Sequence, residues 1–287
     1  MRGTRLWLVI AMIAALFATA LVAGCGDDDD DDDATTETTD SATADIQTIE
    51  EGELSVGTDA PFPPFEISTP DSPDFGGYDI DVMDAIAENL GLEVTYTNTG
   101  FGTIFRDTAN GLFDTAAAAS TITKARENTV DFSDPYYEAQ QALLVAEGSD
   151  IASVDDLGGV IVGAQDGTTG EAYASDETDA SEVRGFPQGP DAISALITGQ
   201  VEAVIIDQPV AVDALEKQGG VEIVEEIATN ELYGFAVAPD NDGLREAMNG
   251  ALATLKEDGT LDGLYEEYFQ TTPPESVLGE NPLLTND

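Results

Sequence analysis

Apolar and polar residues follow two alternating periods along most of the chain. Short apolar runs with strand-like patterning lie at 54–58 (LSVGT), 92–98 (LEVTYTN), 112–118 (LFDTAAA), 160–165 (VIVGAQ), 201–207 (VEAVIID) and 234–239 (GFAVAP). Between them lie stretches of helical spacing. The first, 78–91, places Ile80, Met83, Ile86 and Leu90 near one face and closes on Gly91. Others lie at 101–111, 190–199, 208–220, 242–259 and 260–269. A further helix is expected over 124–130, capped by Thr123. Strands alternating with helices predict an α/β fold containing parallel sheet. The body beyond residue 46 is larger than one small core fills, so two lobes are expected. The tail from 271 is expected to be peripheral.

The polar residues at the strand ends carry more than the elements themselves. Asp59 follows the first strand, Thr121 the third, Gly167, Thr168 and Thr169 the fourth, and Asp207 ends the fifth. Ligands of open α/β sheets bind just beyond the carboxyl ends of strands.

The N-terminus sets the compartment. Arg2 and Arg5 precede eighteen uncharged residues, 6–23, which run into VAGC at 22–25. A basic start, an apolar middle and a small-residue exit mark residues 1–24 as a secretory signal. Cys25, the single cysteine, resembles the lipidated cysteine of bacterial lipoproteins, with Val22 where leucine usually stands. The alternative is an uncleaved membrane anchor. Either way the body lies outside the cell membrane, tethered to its outer face, and no internal disulfide is available. Residues 26–45 hold ten acids and neither an aromatic nor a branched aliphatic residue, so a disordered tether is expected.

Charge excludes several partners. Nine basic residues stand against 58 acidic ones, two of the nine lying in the signal. That balance argues against nucleic acid or an anionic lipid surface. A strongly acidic, lysine-poor surface fits work in concentrated salt, where screening removes self-repulsion. With no histidine, a Ser–His–Asp or Cys–His nucleophile and a His-ligated zinc are impossible. No cofactor or metal is expected, and a monomer is. Pairs of carboxylates carry no information in so acidic a chain.

Against this background, "AASTITKAREN" at 118–128 places two scarce cations, Lys124 and Arg126, in one hydroxyl-rich turn. An arginine fork at a helix start forms a receptor for a carboxylate, while Lys124 reads as exposed. "DGTTGEAY" at 166–173 is a second turn in which N–H groups converge. Asp59 and Asp207 offer the opposite charge. One anion clamp and two carboxylates describe a receptor for a zwitterion.

The blocks VGTDAPFPPFE, GYDIDVMDAIAENLG, FDTAAAASTITKAREN, VDFSDPYY, VGAQDGTTGE, VEAVIIDQPVA and YGFAVAPDN, in this order, resemble the extracellular solute-binding proteins of polar amino-acid ABC transporters. The resemblance implies a type II periplasmic-binding fold: two lobes with mixed sheets, 46–138 plus 236–270 and 139–235, joined by hinge strands near 138–141 and 231–235. It implies that Arg126, Thr121 and Thr169 hold an α-carboxylate, that Ala119 offers its backbone, and that Asp207 takes the α-ammonium. Phe62 and Phe101 would wall the side chain, Asp59 would reach the ammonium or the side-chain groups, Gln165 would touch the side chain, and Glu66 would support local structure. A cationic or amide side chain is favoured, because Asp59 and Glu66 disfavour an acidic one unless Arg106 or Arg184 points inward. A membrane permease is the implied partner. The rivals are an enzyme resembling the cyclohexadienyl dehydratases, which share this fold and also hold a carboxylate with an arginine, and a sensory binding protein.

Overall fold

The computed structural model describes residues 46–69 and 72–283; the expected signal, Cys25 and the acidic tether lie outside them. The chain begins with β1 (Glu53–Thr58), the hairpin β2 (Ile67–Thr69) and β3 (Ser72–Gly76), α1 (Tyr78–Leu90), β4 (Glu93–Asn98), α2 (Phe101–Ala109), β5 (Thr115–Ala116) and β6 (Asp131–Phe132). The middle holds β7 (Tyr137–Ala146), β8 (Ile161–Gln165), α3 (Thr169–Asp176), β9 (Glu182–Phe186), α4 (Gly189–Ile197), β10 (Ala203–Asp207), α5 (Gln208–Lys217) and β11 (Val221–Tyr233). Then follow β12 (Ala236–Val237), α6 (Asp242–Asp258) and α7 (Thr260–Phe269).

Two five-stranded mixed sheets organise these elements, one in each lobe. The first runs β4-β1-β5-β12-β6, with β1 parallel to β4 and β5, and β12 antiparallel to β5 and β6. The second runs β11-β7-β10-β8-β9, with β10, β8 and β9 parallel and β7 antiparallel to β10 and β11. The chain passes between the sheets twice, from β6 into β7 and from β11 into β12.

Burial explains why the strands read as near-continuous apolar runs. In β10, Ala203 and Ile205 enter the core on the α3 side, whereas Val204 and Ile206 pack with α4 and α5. Leu143 and Val145 of β7 follow the first pair, Ala142 and Leu144 the second. A strand covered on both faces has no polar side to show. In the first lobe α1, α6 and α7 bury Met83, Ile86, Met248, Leu252 and Leu261, while α2 sets Ile104 beside Ala116, Val130 and Phe132. Helix α1 ends as expected on Gly91, whose φ of 72° is the left-handed region that glycine enters without steric cost.

Where the chain crosses between sheets, Phe65 gathers an aromatic cluster. Its ring centroid lies 5.0 Å from Tyr137, 5.4 Å from Tyr233 and 5.6 Å from Phe269. Tyr136 stacks on Phe235 at 4.1 Å with the planes 2° apart.

Two expectations are corrected. The helix over 124–130 is a single 3-10 turn, Arg126–Asn128. Thr123 does accept the Arg126 N–H (3.2 Å), but the chain must enter β6 at Asp131, leaving no length for an α-helix. The tail is not peripheral either. A 3-10 turn, Glu275–Leu278, buries Val277, and Asn281 donates its N–H to Asp134 Oδ1 (2.8 Å) and Nδ2 to Glu127 Oε1 (3.0 Å).

Candidate ligand-binding site

The carboxyl ends of β1, β5, β8 and β10 converge on a small cavity. All nine residues expected to contact ligand line it: Asp59, Phe62, Phe101, Ala119, Thr121, Arg126, Gln165, Thr169 and Asp207. Glu66, Ala118 and Thr168 complete the wall.

Arg126 supplies the cation. Its guanidinium lies 5.0 Å from the ring centroid of Phe101 and 4.8 Å from that of Phe105. It donates Nη1 to the Thr121 carbonyl (2.7 Å) and Nη2 to the Gly167 carbonyl across the cleft (3.2 Å). Neither acceptor is an anion. Among the described residues Arg106, Arg184, Arg245 and Lys217 pair with carboxylates, and Arg126 does not. Burial lowers its pKa to about 10, against the pull of Glu231 and Asp207, so it stays charged at any ordinary pH. Lys124 is exposed, as expected. Arg106 and Arg184 sit in surface pairs and do not line the cavity.

The acids are buried and lack cations. Asp207 ends β10 without capping α5; its Oδ1 receives Gln141 Nε2 at 2.7 Å. Burial first, then the Glu231 carboxylate, pushes its pKa to about 7. Asp59 receives Gln165 Nε2 at 2.7 Å, and burial raises its pKa to about 6. Glu66 is fully buried, and its pKa is pushed well up by burial and by the neighbouring Asp79. No N–H or hydroxyl reaches either Glu66 oxygen; the acid faces the Asp79 carboxyl, whose own pKa burial raises. Asp79 Oδ2 in turn accepts the Ala119 N–H (2.7 Å) and the Tyr136 hydroxyl (2.8 Å). Ala119, held at φ 42°, therefore has only its carbonyl to offer the cavity.

Two residues of the site escaped the sequence reading. Glu231, on β11, accepts the hydroxyls of Thr121 (2.5 Å) and Thr169 (2.6 Å), and Gln141, on β7, bonds both Glu231 and Asp207. One signal existed for Gln141: it is a polar residue on the strand face shared by Ala139 and Leu143, both fully buried. For Glu231 there was none, since one acid among 58 does not stand out.

The turn at 166–173 forms as expected. Gly167 takes φ 77° and donates its N–H to Glu171 Oε2 (2.8 Å), while Thr168 caps α3 by accepting the Glu171 N–H. Among the described residues no group of three or more acids or cysteine is placed to hold a metal ion.

Comparison with known proteins agrees with this geometry. The glutamine-binding protein GlnH of a Bacillus subtilis ABC transporter is 32% identical over 267 residues, 92% of this chain and 97% of that protein. The solved structure of an ancestral arginine-binding protein bound to glutamine superposes with a TM-score of 0.74 at 40% identity, covering 77% of this chain and all of that one. An ancestral amino-acid-binding protein, a precursor of cyclohexadienyl dehydratase, superposes with a TM-score of 0.71 at 35% identity, covering 76% and 96%. Residues 54–271 match the family model itself, so the chain belongs to the bacterial extracellular solute-binding proteins, family 3.

Proposed function

We propose that the protein captures a free polar amino acid outside the cell membrane and delivers it to an ABC transporter permease. The carrying observation is Arg126: a half-buried guanidinium, in a cavity lined by three carboxyls, that has no anion of its own. In this reading Arg126 takes the α-carboxylate and Asp207 the α-ammonium, while Phe62 and Phe101 pack on the side chain. Residues 46–138 plus 236–270 and residues 139–235 close about hinges at 138–141 and 231–235. Closure expels water and strengthens the charged bonds.

A cationic side chain is the reading favoured by charge. A zwitterion alone leaves Asp59 without a positive partner, and an arginine- or lysine-like ligand supplies one. An amide side chain is the second reading, because Gln165 already satisfies Asp59 with an amide in this structure. The compared relatives are named as binding proteins, and the chemistry assigned here is binding rather than turnover. Lipidation at Cys25 would keep the receptor at the membrane.

The test is a thermal shift of the ligand-stripped protein with each common amino acid, Arg126→Ala alongside. Removing one partner of a buried charge pair costs roughly 2–5 kcal/mol, so at least tenfold weaker binding is expected. Unchanged affinity in the variant would remove Arg126 from the carboxylate seat.

A further inference from the structure

One carboxylate in the cleft belongs to neither end of the expected ligand. Glu231 Oε2 receives two hydroxyls, that of Thr121 at 2.5 Å and that of Thr169 at 2.6 Å. Thr121 lies beyond β5 of the first sheet, and Thr169 opens α3 after β8 of the second. Glu231 itself stands on β11, three residues before the chain leaves for β12 at Gly234 and Phe235, and is only 8% exposed. Its other oxygen receives Gln141 Nε2 at 3.0 Å, and the second proton of that amide goes to Asp207. Every lone pair direction that matters on Glu231 thus meets a donor, and those donors come from both sides of the cleft.

The proton count has a consequence for the ligand. A threonine hydroxyl has one proton to donate. With both threonine protons on Glu231, neither remains for an incoming carboxylate. What remains is the Arg126 fork and the main-chain N–H groups of Thr121 and Thr169, which have no partner among the described residues.

We propose that Glu231 is a positioning residue: an internal carboxylate that latches the Thr121 turn to the start of α3 when the lobes close, leaving the ligand's carboxylate to Arg126 and the main chain. This deepens the amino-acid-receptor reading and rests on it. The bond set exists only when the two turns meet, so the latch stabilises the closed form and not the open one. Glutamine weakens the latch in either orientation. With its oxygen on the two hydroxyls its NH₂ confronts the Gln141 NH₂, donor against donor, and turned about it replaces three charge-assisted bonds by neutral ones.

The experiment compares the wild-type protein with Glu231→Gln and Thr169→Val, the latter removing one arm without touching the acid. Small-angle scattering of the ligand-stripped proteins reads closure, stopped-flow mixing with arginine reads association and dissociation, and urea midpoints report folding. A larger radius of gyration in Glu231→Gln, at least tenfold faster dissociation and association within twofold of wild type are expected. The double variant should dissociate no faster than Glu231→Gln alone, because both changes break one latch. Unchanged scattering and dissociation in Glu231→Gln overturn the proposal. So does additivity in the double variant, which would mean that the Thr169 hydroxyl serves the ligand directly. If the wild type binds no amino acid, the receptor reading fails, and the scattering comparison still decides on the latch. Should Glu231→Gln not fold, Thr169→Val carries the same scattering and kinetic test.

Discussion

Gln165 at the end of β8 donates Nε2 to Asp59 Oδ2 just beyond β1, 2.7 Å away, so an amide of one lobe rests on a carboxyl of the other. The contact supports the proposal that Asp59 meets the far end of the ligand side chain. Asp59→Asn removes the charge and keeps the size. Arginine and lysine should then bind at least tenfold more weakly, while glutamine loses less than threefold. Calorimetric titration with the three ligands checks the ordering. Equal losses for all three would assign Asp59 to the ligand's common backbone end.

The raised pKa values of Asp207, about 7, and Asp59, about 6, set opposite pH trends for binding and for stability. An ammonium needs the ionised carboxylate, so affinity should rise from pH 5 to pH 8, with a proton released on binding near neutrality. Without ligand the sign reverses. These acids hold protons in the folded state at a pH where the unfolded chain has lost them, so their contribution to stability falls as pH rises from about 4 to about 7. Melting of the ligand-free protein across this window, against Asp207→Asn, checks the second trend; the variant should show a shallower slope. Titrations in buffers of different ionisation enthalpy check the proton release.

Phe65 is fully buried between the crossing strands and α7, with Tyr137, Tyr233 and Phe269 around it. Phe65→Ala should cost about 3–5 kcal/mol, the range for truncating a buried phenylalanine. Urea unfolding gives the value. A loss below 1 kcal/mol would mean that the cluster is loosely packed and does not anchor the crossing.

The parts of this structure that were legible in the sequence are those with local causes. Helix α1 shows its apolar stripe and its glycine stop, and the polar ends of β1, β8 and β10 stand out against apolar strands. Arg126 was conspicuous because cations are scarce. Its setting was misread: the residues after it looked helical by composition, but the short path to β6 allows only one 3-10 turn. Asp79 and Glu66 were hidden for a different reason. Their pairing depends on an α1 residue meeting the β2 approach, a contact no local pattern encodes. Glu231 and Gln141 come from strands paired across ninety residues of chain, and the Thr121 and Thr169 hydroxyls, expected beside the ligand's carboxylate, bond Glu231 in this structure.

The surface acids make a prediction of their own. Only four ion pairs form among the described residues, and all four involve exposed or partly exposed side chains. Repulsion among the remaining acids is therefore screened mainly by solvent ions. Stability should rise steadily between 0.1 and 2 M potassium chloride in equilibrium unfolding. A flat or falling dependence would show that the acidic surface is no adaptation to salt.

The most direct measurement is calorimetric titration of the wild-type protein, unfolded, dialysed free of ligand and refolded, with arginine, lysine, histidine, glutamine and glutamate. The account predicts one-to-one binding of arginine or lysine, weaker binding of glutamine and none of glutamate, with the signal lost in Arg126→Ala. Tight binding of glutamate, or no binding of any of the five by a correctly refolded protein, would contradict it.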